Sequence, residues 1–281
     1  MRNIKTKDIE RIVEKLCVKA NMILRKDVLN EIERLFSGEK AGSLSKKMLG
    51  VLIENAGIAR SQNVPLCQDT GMVVVFIELG EDVRIYGGYL YEAVNNGVKK
   101  AYIEKGLRKS VVDDPIRRNN TGTNTPAIIH IDITKGEKLG ITVMPKGFGS
   151  ENKSSIAMLN PTCSVDDIAA FCVNVVKKAG PDACPPYVLG VGIGGTMDYC
   201  ALLAKKALLR PINKDNSKVY ISDLEKKIKD RANDLNIGVM GLGGKTTVLG
   251  VNIETAPTHI AGMPVAVNLS CHALRSARAV M

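Results

Sequence analysis

Apolar residues recur at a 3.6-residue period through residues 6 to 60. Ile9, Ile12, Val13 and Leu16 form one such stripe, Val28, Ile32 and Leu35 a second, and Met48, Leu49, Leu52 and Ile53 a third, which predicts three helices. The pattern then changes to the unbroken apolar run "MVVVF", which predicts a buried strand over 72 to 78, followed by a helix around 88 to 105. "AIIHIDITKGEKLGITVMPKG" reads as two strands joined by a polar turn. An amphipathic helix is expected over 164 to 179, opened by Ser164 with Asp167 three residues on, close to a capping box. "YVLGVGIGG" is expected as a buried strand leading into a helix over 196 to 209, and a charged helix follows at 221 to 235. A glycine-rich turn, a strand near 246 to 253, an apolar run at 264 to 269 and a short C-terminal helix complete the chain. Helices alternating with strands, some of them adjacent, indicate a mixed α/β fold. No repeat, linker or low-complexity tract interrupts it, so residues 1–281 are expected as one domain with two sub-lobes.

The 281 residues are 45% hydrophobic, enough for a substantial core, and no apolar run reaches the roughly 18 residues of a membrane span. The N-terminal stretch mixes charge with apolar residues at helical spacing, unlike an export signal, so a cytoplasmic protein is expected. In that compartment the seven cysteines are reduced thiols serving as core fillers, nucleophiles or metal ligands. A net charge of +10 favours anionic partners, but the basic residues are scattered along helical faces. With aromatics at 4% and no Trp, stacking platforms are scarce, and a solvated surface is favoured over nucleic-acid binding.

Two glycine motifs point toward nucleotides and fail on register. Gly190, Gly192 and Gly195 match G-x-G-x-x-G after a strand, but the chain continues through "RPINKDNSKVYISDLEKKIKD" instead of the second strand a dinucleotide fold needs. In "GVMGLGGKTT" the position a phosphate loop requires as its first glycine is Val239. Backbone N–H groups approaching an anion remain open at both places.

The cysteines separate by surroundings. Cys17, Cys172 and Cys200 sit at apolar helical positions and read as core hydrophobes, and Cys163 follows Pro161 in a turn. Cys67, Cys184 and Cys271 lie at strand–helix junctions, where ligands and catalytic groups gather. Without a C-x-x-C, and with only three histidines (130, 259 and 272), nothing local demands a metal. A structural zinc would need a fourth ligand, while three thiolates with one open corner suit a 4Fe–4S cluster; plain buried thiols remain the alternative.

"VPLCQDTG", "RRNNTGTNTPA", "MPKGFGSEN", "CPPYVLGVGIGGTMD", "LLAKKALLR", "MGLGGKTT" and "THIAGMPVAVNLSCHALR" together resemble the class I, iron–sulfur fumarate hydratase family, and in particular the α subunit of its two-subunit fumarase and L-tartrate dehydratase members. The resemblance spans nearly the whole chain with the motifs in family order. It implies a hydro-lyase α subunit hydrating fumarate to L-malate, or dehydrating L-tartrate, with Cys67, Cys184 and Cys271 on a 4Fe–4S cluster that has one substrate-binding iron. Asp69 and His259 are implied as the acid–base pair, Gln68 as a substrate hydrogen-bonding group, Arg118 as a carboxylate clamp, and Gly149 and Ser150 as the loop holding the second carboxylate. Helices flanking mixed β-sheets in two lobes, the cluster site between them, a separate β subunit and an α2β2-type assembly are expected with it. The chain departs from the family pattern at Phe148, where a glycine is usual, and at Thr123, where Asp is common.

Overall fold

The computed structural model describes all residues, Met1–Met281, and no helix is long and apolar enough to cross a membrane. The chain divides into two compact units: one from Met1–Arg25, Ala56–Phe148 and Arg275–Met281, the other from Lys26–Asn55 and Gly149–Leu274.

The first unit begins with strand β1 (Arg2–Lys5) and helix α1 (Thr6–Met22). After the loop that follows helix α3 (Leu44–Gln62) come strands β2 (Met72–Gly80) and β3 (Val83–Tyr86), helix α4 (Leu90–Glu104) and strands β4 (Ile128–Thr134) and β5 (Leu139–Lys146). The last strand is β10 (Ala277–Val280). Its main sheet runs β10-β5-β2-β4, parallel between β2 and β4 and antiparallel elsewhere, while β1 pairs in parallel with β3. The period-2 geometry of β2 sends Val73, Val75 and Ile77 into one cluster with Ile9, Val13 and Leu16 of α1 and Val94, Val98 and Tyr102 of α4. Leu139, Ile141 and Val143 of β5 join the same cluster, and Ile129 and Ile131 of β4 pack against it, so the two strands read from "AIIHIDITKGEKLGITVMPKG" are present.

The second unit holds α2 (Lys26–Gly38), the four-residue α5 (Phe148–Glu151, whose first residue belongs to the first unit), β6 (Ser155–Leu159), α6 (Val165–Ala179) and β7 (Tyr187–Gly195). It continues through α7 (Met197–Ala207), α8 (Val219–Asn233), β8 (Val248–Thr258) and β9 (Met263–Ser270), giving a sheet ordered β6-β9-β7-β8. Tyr187, Leu189 and Val191 of β7 join the core with α6 and α8. The alternate residues Gly190 and Gly192 lie against α7, where a Cβ would strike the carbonyl oxygens of Ala204 and Cys200. The G-x-G-x-x-G pattern is thus a packing device that lets α7 lie close on the strand. Ser164 and Asp167 form the complete capping box at the start of α6, a step beyond the near-box read from sequence.

One element differs in kind from the sequence reading. The expected C-terminal helix is a strand, β10, paired antiparallel with β5 from Ala277↔Val143 to Val280↔Gly140. A four-residue segment cannot repay helix nucleation, whereas an open edge of β5 offers it backbone partners at once. The short strands β1, β3 and β6 carry too little periodicity to be read from sequence.

The glycine packing makes a two-sided prediction. Gly190→Ala forces a methyl into a helix backbone and should cost about 3 kcal/mol, lowering Tm by about 6–12 °C. Gly57, exposed on α3 with nothing near its missing Cβ, should behave oppositely: Gly57→Ala should add about 0.5–1 kcal/mol. Thermal melts of both variants check the assignment of α7 to the glycine face of β7.

Candidate active site

The polar stretch Cys67–Thr70 forms a turn that enters β2. Its ends are buried and its middle is presented: Leu66 and Thr70 are covered, Cys67 and Asp69 half-buried, and Gln68 exposed. Gln68 Oε1 lies 3.4 Å from the Cys67 thiol. The Asp69 carboxylate accepts two backbone N–H groups, Gly71 at 3.0 Å and Phe148 at 2.9 Å. Gly71 closes the turn at φ +74°, with its α-carbon so near Lys146 that a Cβ would sit 2.8 Å from that residue's backbone.

The same unit carries the loop from 108 to 127. Asp114 accepts from the N–H groups of Ile116 and Arg117, and Asn120 and Asn124 bind backbone groups across the loop. Asn124, fully buried, also donates to the Gly71 carbonyl at 3.0 Å, tying this loop to the Asp69 turn. Arg118 is exposed at its tip in the left-handed region, φ +61°. Thr123 makes a 2.7 Å hydroxyl contact with Thr125, so the residue standing where Asp is common serves the loop itself. Phe148 is 48% exposed, and its ring packs outward instead of into the core.

In the second unit, Cys184 and Cys271 are brought together. The Cys184 carbonyl accepts from the backbone N–H of His272 at 3.4 Å, and lies 3.1 Å from His272 Nδ1. Tyr187 beneath them has its phenol pushed up to about 12, chiefly by burial, with Cys184 and Cys271 adding to the rise. Cys184 adopts φ +56°, and Met240, at φ +54°, donates its N–H to the Pro185 carbonyl at 2.7 Å. Six non-glycine residues have positive φ and three are Asn, which tolerates it; the others are Arg118, Cys184 and Met240. Left-handed backbone at such residues costs roughly 1–3 kcal/mol each and is concentrated at functional sites. Gly149 is exposed and Ser150 buried at the start of this unit. His259 sits exposed in the β8–β9 connection, where the Ala261 N–H donates to Nδ1 at 3.1 Å and so assigns the ring proton to Nε2.

Burial sets three of the seven cysteines apart as core thiols, as their surroundings in sequence did. Cys17, Cys172 and Cys200 are fully buried, and burial raises their thiols, to about 12 for Cys172 and about 11 for Cys200. Such thiols resist forming the thiolate that metals bind. Cys163 packs against the core of the second unit. That leaves Cys67, Cys184 and Cys271, soft donors outside the core, which suit an iron–sulfur cluster in kind. No three His, Cys, Asp or Glu side chains are gathered as a metal site; Cys67 belongs to the first unit, Cys184 and Cys271 to the second.

Sequence reasoning missed the groups that hold the Asp69 turn in place: Asn21, Tyr102 and Arg275, all buried. Their signal was faint, a polar residue on an apolar helical stripe in two cases. Arg275 closes the "SCHALR" motif and was passed over beside Cys271.

A family model described as fumarate hydratase (fumerase) matches residues 10–280. A Methanocaldococcus jannaschii protein provisionally named L(+)-tartrate dehydratase subunit alpha is 41% identical over 274 residues, covering 96% of each chain. The L(+)-tartrate dehydratase subunit alpha of Escherichia coli O157:H7 is 30% identical over 252 residues, 89% of this chain and 82% of the relative. The protein of that name from Shigella boydii serotype 4 is similar to the same extent.

The thiol environments predict an order of reactivity. In the metal-free chain, iodoacetamide should label Cys67, Cys184 and Cys271 at least about tenfold faster than Cys17, Cys172 and Cys200. Peptide mapping after timed quenching reads the order, and early labelling of Cys17 would contradict it.

Proposed function

This chain belongs to the fumarate hydratase family and is a hydro-lyase, and we propose that it acts as the cluster-bearing α subunit of an enzyme that interconverts fumarate and L-malate. One observation carries the metal part of this reading: three of the seven cysteines are fully buried and Cys163 packs against the core, and the remaining three are those at the family-like motifs. Cys67, Cys184 and Cys271 would hold a 4Fe–4S cluster by three thiolates. When bound, the cluster would supply a Lewis-acidic iron that polarises the hydroxyl departing as water.

The chain's own residues account for the rest. Asp69 is kept oriented by two backbone donors, which aim its carboxylate as a partner for a substrate proton. His259 presents Nε2–H outward, ready to donate toward the leaving oxygen. Gln68, exposed beside Cys67, hydrogen-bonds the substrate hydroxyl or a carboxylate. Arg118 offers a planar fork to one carboxylate, and the Gly149–Ser150 backbone N–H groups receive the other. A chain charge of +10 draws a dianion toward these groups.

The relatives' names, each a subunit alpha, support a separate β chain. We assign the remaining proton-transfer group to that chain, in an α2β2-type assembly in the cytoplasm. The same names favour a second reading, dehydration of L-tartrate. Phe148, exposed in the loop beside Gly149, is the residue of this chain best placed to bias that choice.

The deciding experiment is a parallel assay of malate and tartrate with the anaerobically purified chain, alone and with its β partner. Turnover is expected only with the partner, and robust malate dehydration by this chain alone would defeat the two-subunit reading. Cys67→Ser, Cys184→Ser and Cys271→Ser should each lower bound iron and abolish turnover, since hard oxygen poorly replaces thiolate on iron. Cys172→Ala should keep its iron. Arg118→Gly relieves the left-handed backbone and should stabilise the chain by about 1 kcal/mol. The same change should raise KM by removing the clamp, with kcat less affected. Normal iron in any of the three serine variants removes that cysteine from the site.

A further inference from the structure

Arg275 is 3% exposed, so the fold buries a guanidinium. Burying that charge is costly unless it performs something its neighbours need. Its Nη2 donates to the backbone carbonyl of Asp69 at 2.8 Å, and its Nη1 to Asn21 Oδ1 at 3.2 Å. Both acceptors are neutral, and Nε makes no hydrogen bond. The fork is therefore not half of a buried ion pair; it is spent on one carbonyl in the Cys67–Thr70 turn and on the amide that supports it.

Asn21 is fully buried and acts as the hub. It donates to the Cys17 carbonyl at 3.0 Å, while its own carbonyl accepts from the Leu66 N–H at 2.9 Å, the residue just before Cys67. Tyr102 closes the other end, its hydroxyl donating to the Thr70 carbonyl at 2.5 Å. Burial pushes that phenol up, which keeps the donor proton in place. The turn is thus gripped at Leu66, Asp69 and Thr70, the positions flanking the groups it presents. Gly147 completes the arrangement, since a Cβ there would lie 3.0 Å from Asp69 Oδ2 and 3.4 Å from Arg275 Nη2.

We propose that Arg275, with Asn21 and Tyr102, is a positioning residue of the active site: a buried guanidinium clamp that fixes the Cys67–Asp69 turn by its backbone. The proposal rests on the reading of that turn as part of the active site. Arg275 follows Cys271 by four residues, so the C-terminal segment supplies both a candidate ligand and the clamp on the turn that carries another. A lysine could keep the charge but not the two-armed geometry, so the clamp depends on the fork and not on the charge alone.

The test is hydrogen–deuterium exchange of the full chain, comparing wild type with Arg275→Met, Arg275→Lys and Tyr102→Phe. Arg275→Met should speed exchange about tenfold or more at the amides of Leu66, Gly71 and Phe148, while β2 and β5 keep their rates. Arg275→Lys should fall between. In the assembled enzyme, Arg275→Lys should lower kcat by about 100-fold, the scale of an ångström-sized misplacement, with KM within about twofold. Unchanged exchange at residues 66–71, or uniform acceleration throughout the chain, overturns the proposal. If Arg275→Met does not fold, Tyr102→Phe decides: local acceleration at residues 69–71 upholds the clamp, and its absence overturns it. A wild-type assembly without hydro-lyase turnover would remove the functional reading, yet the exchange pattern would still uphold or overturn the clamp.

Discussion

Everything proposed for this chain depends on a short turn whose backbone is held by buried donors while its side chains stay presented. Leu66 and Thr70 are tied down by Asn21 and Tyr102, and Asp69 is held by its carbonyl as well as its carboxylate. A free loop of Cys, Gln, Asp and Thr would sample many rotamers and backbone states, and binding would have to order them each time. Here that ordering is already met by folding, at the cost of a buried guanidinium. Asp69 therefore does two things at once. It organises the Phe148 and Gly71 amides, and it remains half-exposed, as the proposed acid–base role requires.

The second unit has a different economy. Its strained backbone positions, Cys184 and Met240, lie in loops stitched to each other through Pro185, and Cys184 is stitched in turn to His272. Strain persists there because the surrounding hydrogen bonds over-determine the loops. The glycine-rich segment that mimicked a phosphate loop has the same service: the Gly238 N–H donates to Thr247 Oγ1, and Gly238 pairs with Gly243 so closely that no side chain would fit. Its glycines make a compact turn against the Cys184 loop, with Gly241 packed on Pro181.

The unpaired positive charge also finds a limited role. Several basic residues are already committed within the fold, as in the pairs Lys205–Glu151, Arg210–Glu225 and Arg278–Glu78. The remainder is spread over the surface, which suits attraction of a small dianion better than a single polyanion-binding face.

The sequence by itself determined most of the elements and which thiols fill the core. A period of 3.6 located α1 and α6 because each has one stripe that must be buried, and an unbroken apolar run located β2 because its centre is covered on both faces. Residue surroundings separated Cys67, Cys184 and Cys271 from the core thiols before any coordinates, since a thiol on an apolar helical stripe has only one place to go. Tertiary structure decided what local pattern could not carry. Whether "SARAV" became a helix or a strand depended on an open edge of β5, far away in the chain. Whether Gly190 and Gly192 served a cofactor or a helix depended on α7 arriving at van der Waals contact. The clamp of Asn21, Tyr102 and Arg275 joins residues more than 250 positions apart at its extremes, through hydrogen bonds at 3.2 and 3.5 Å, and no spacing rule in a single sequence records such a pairing.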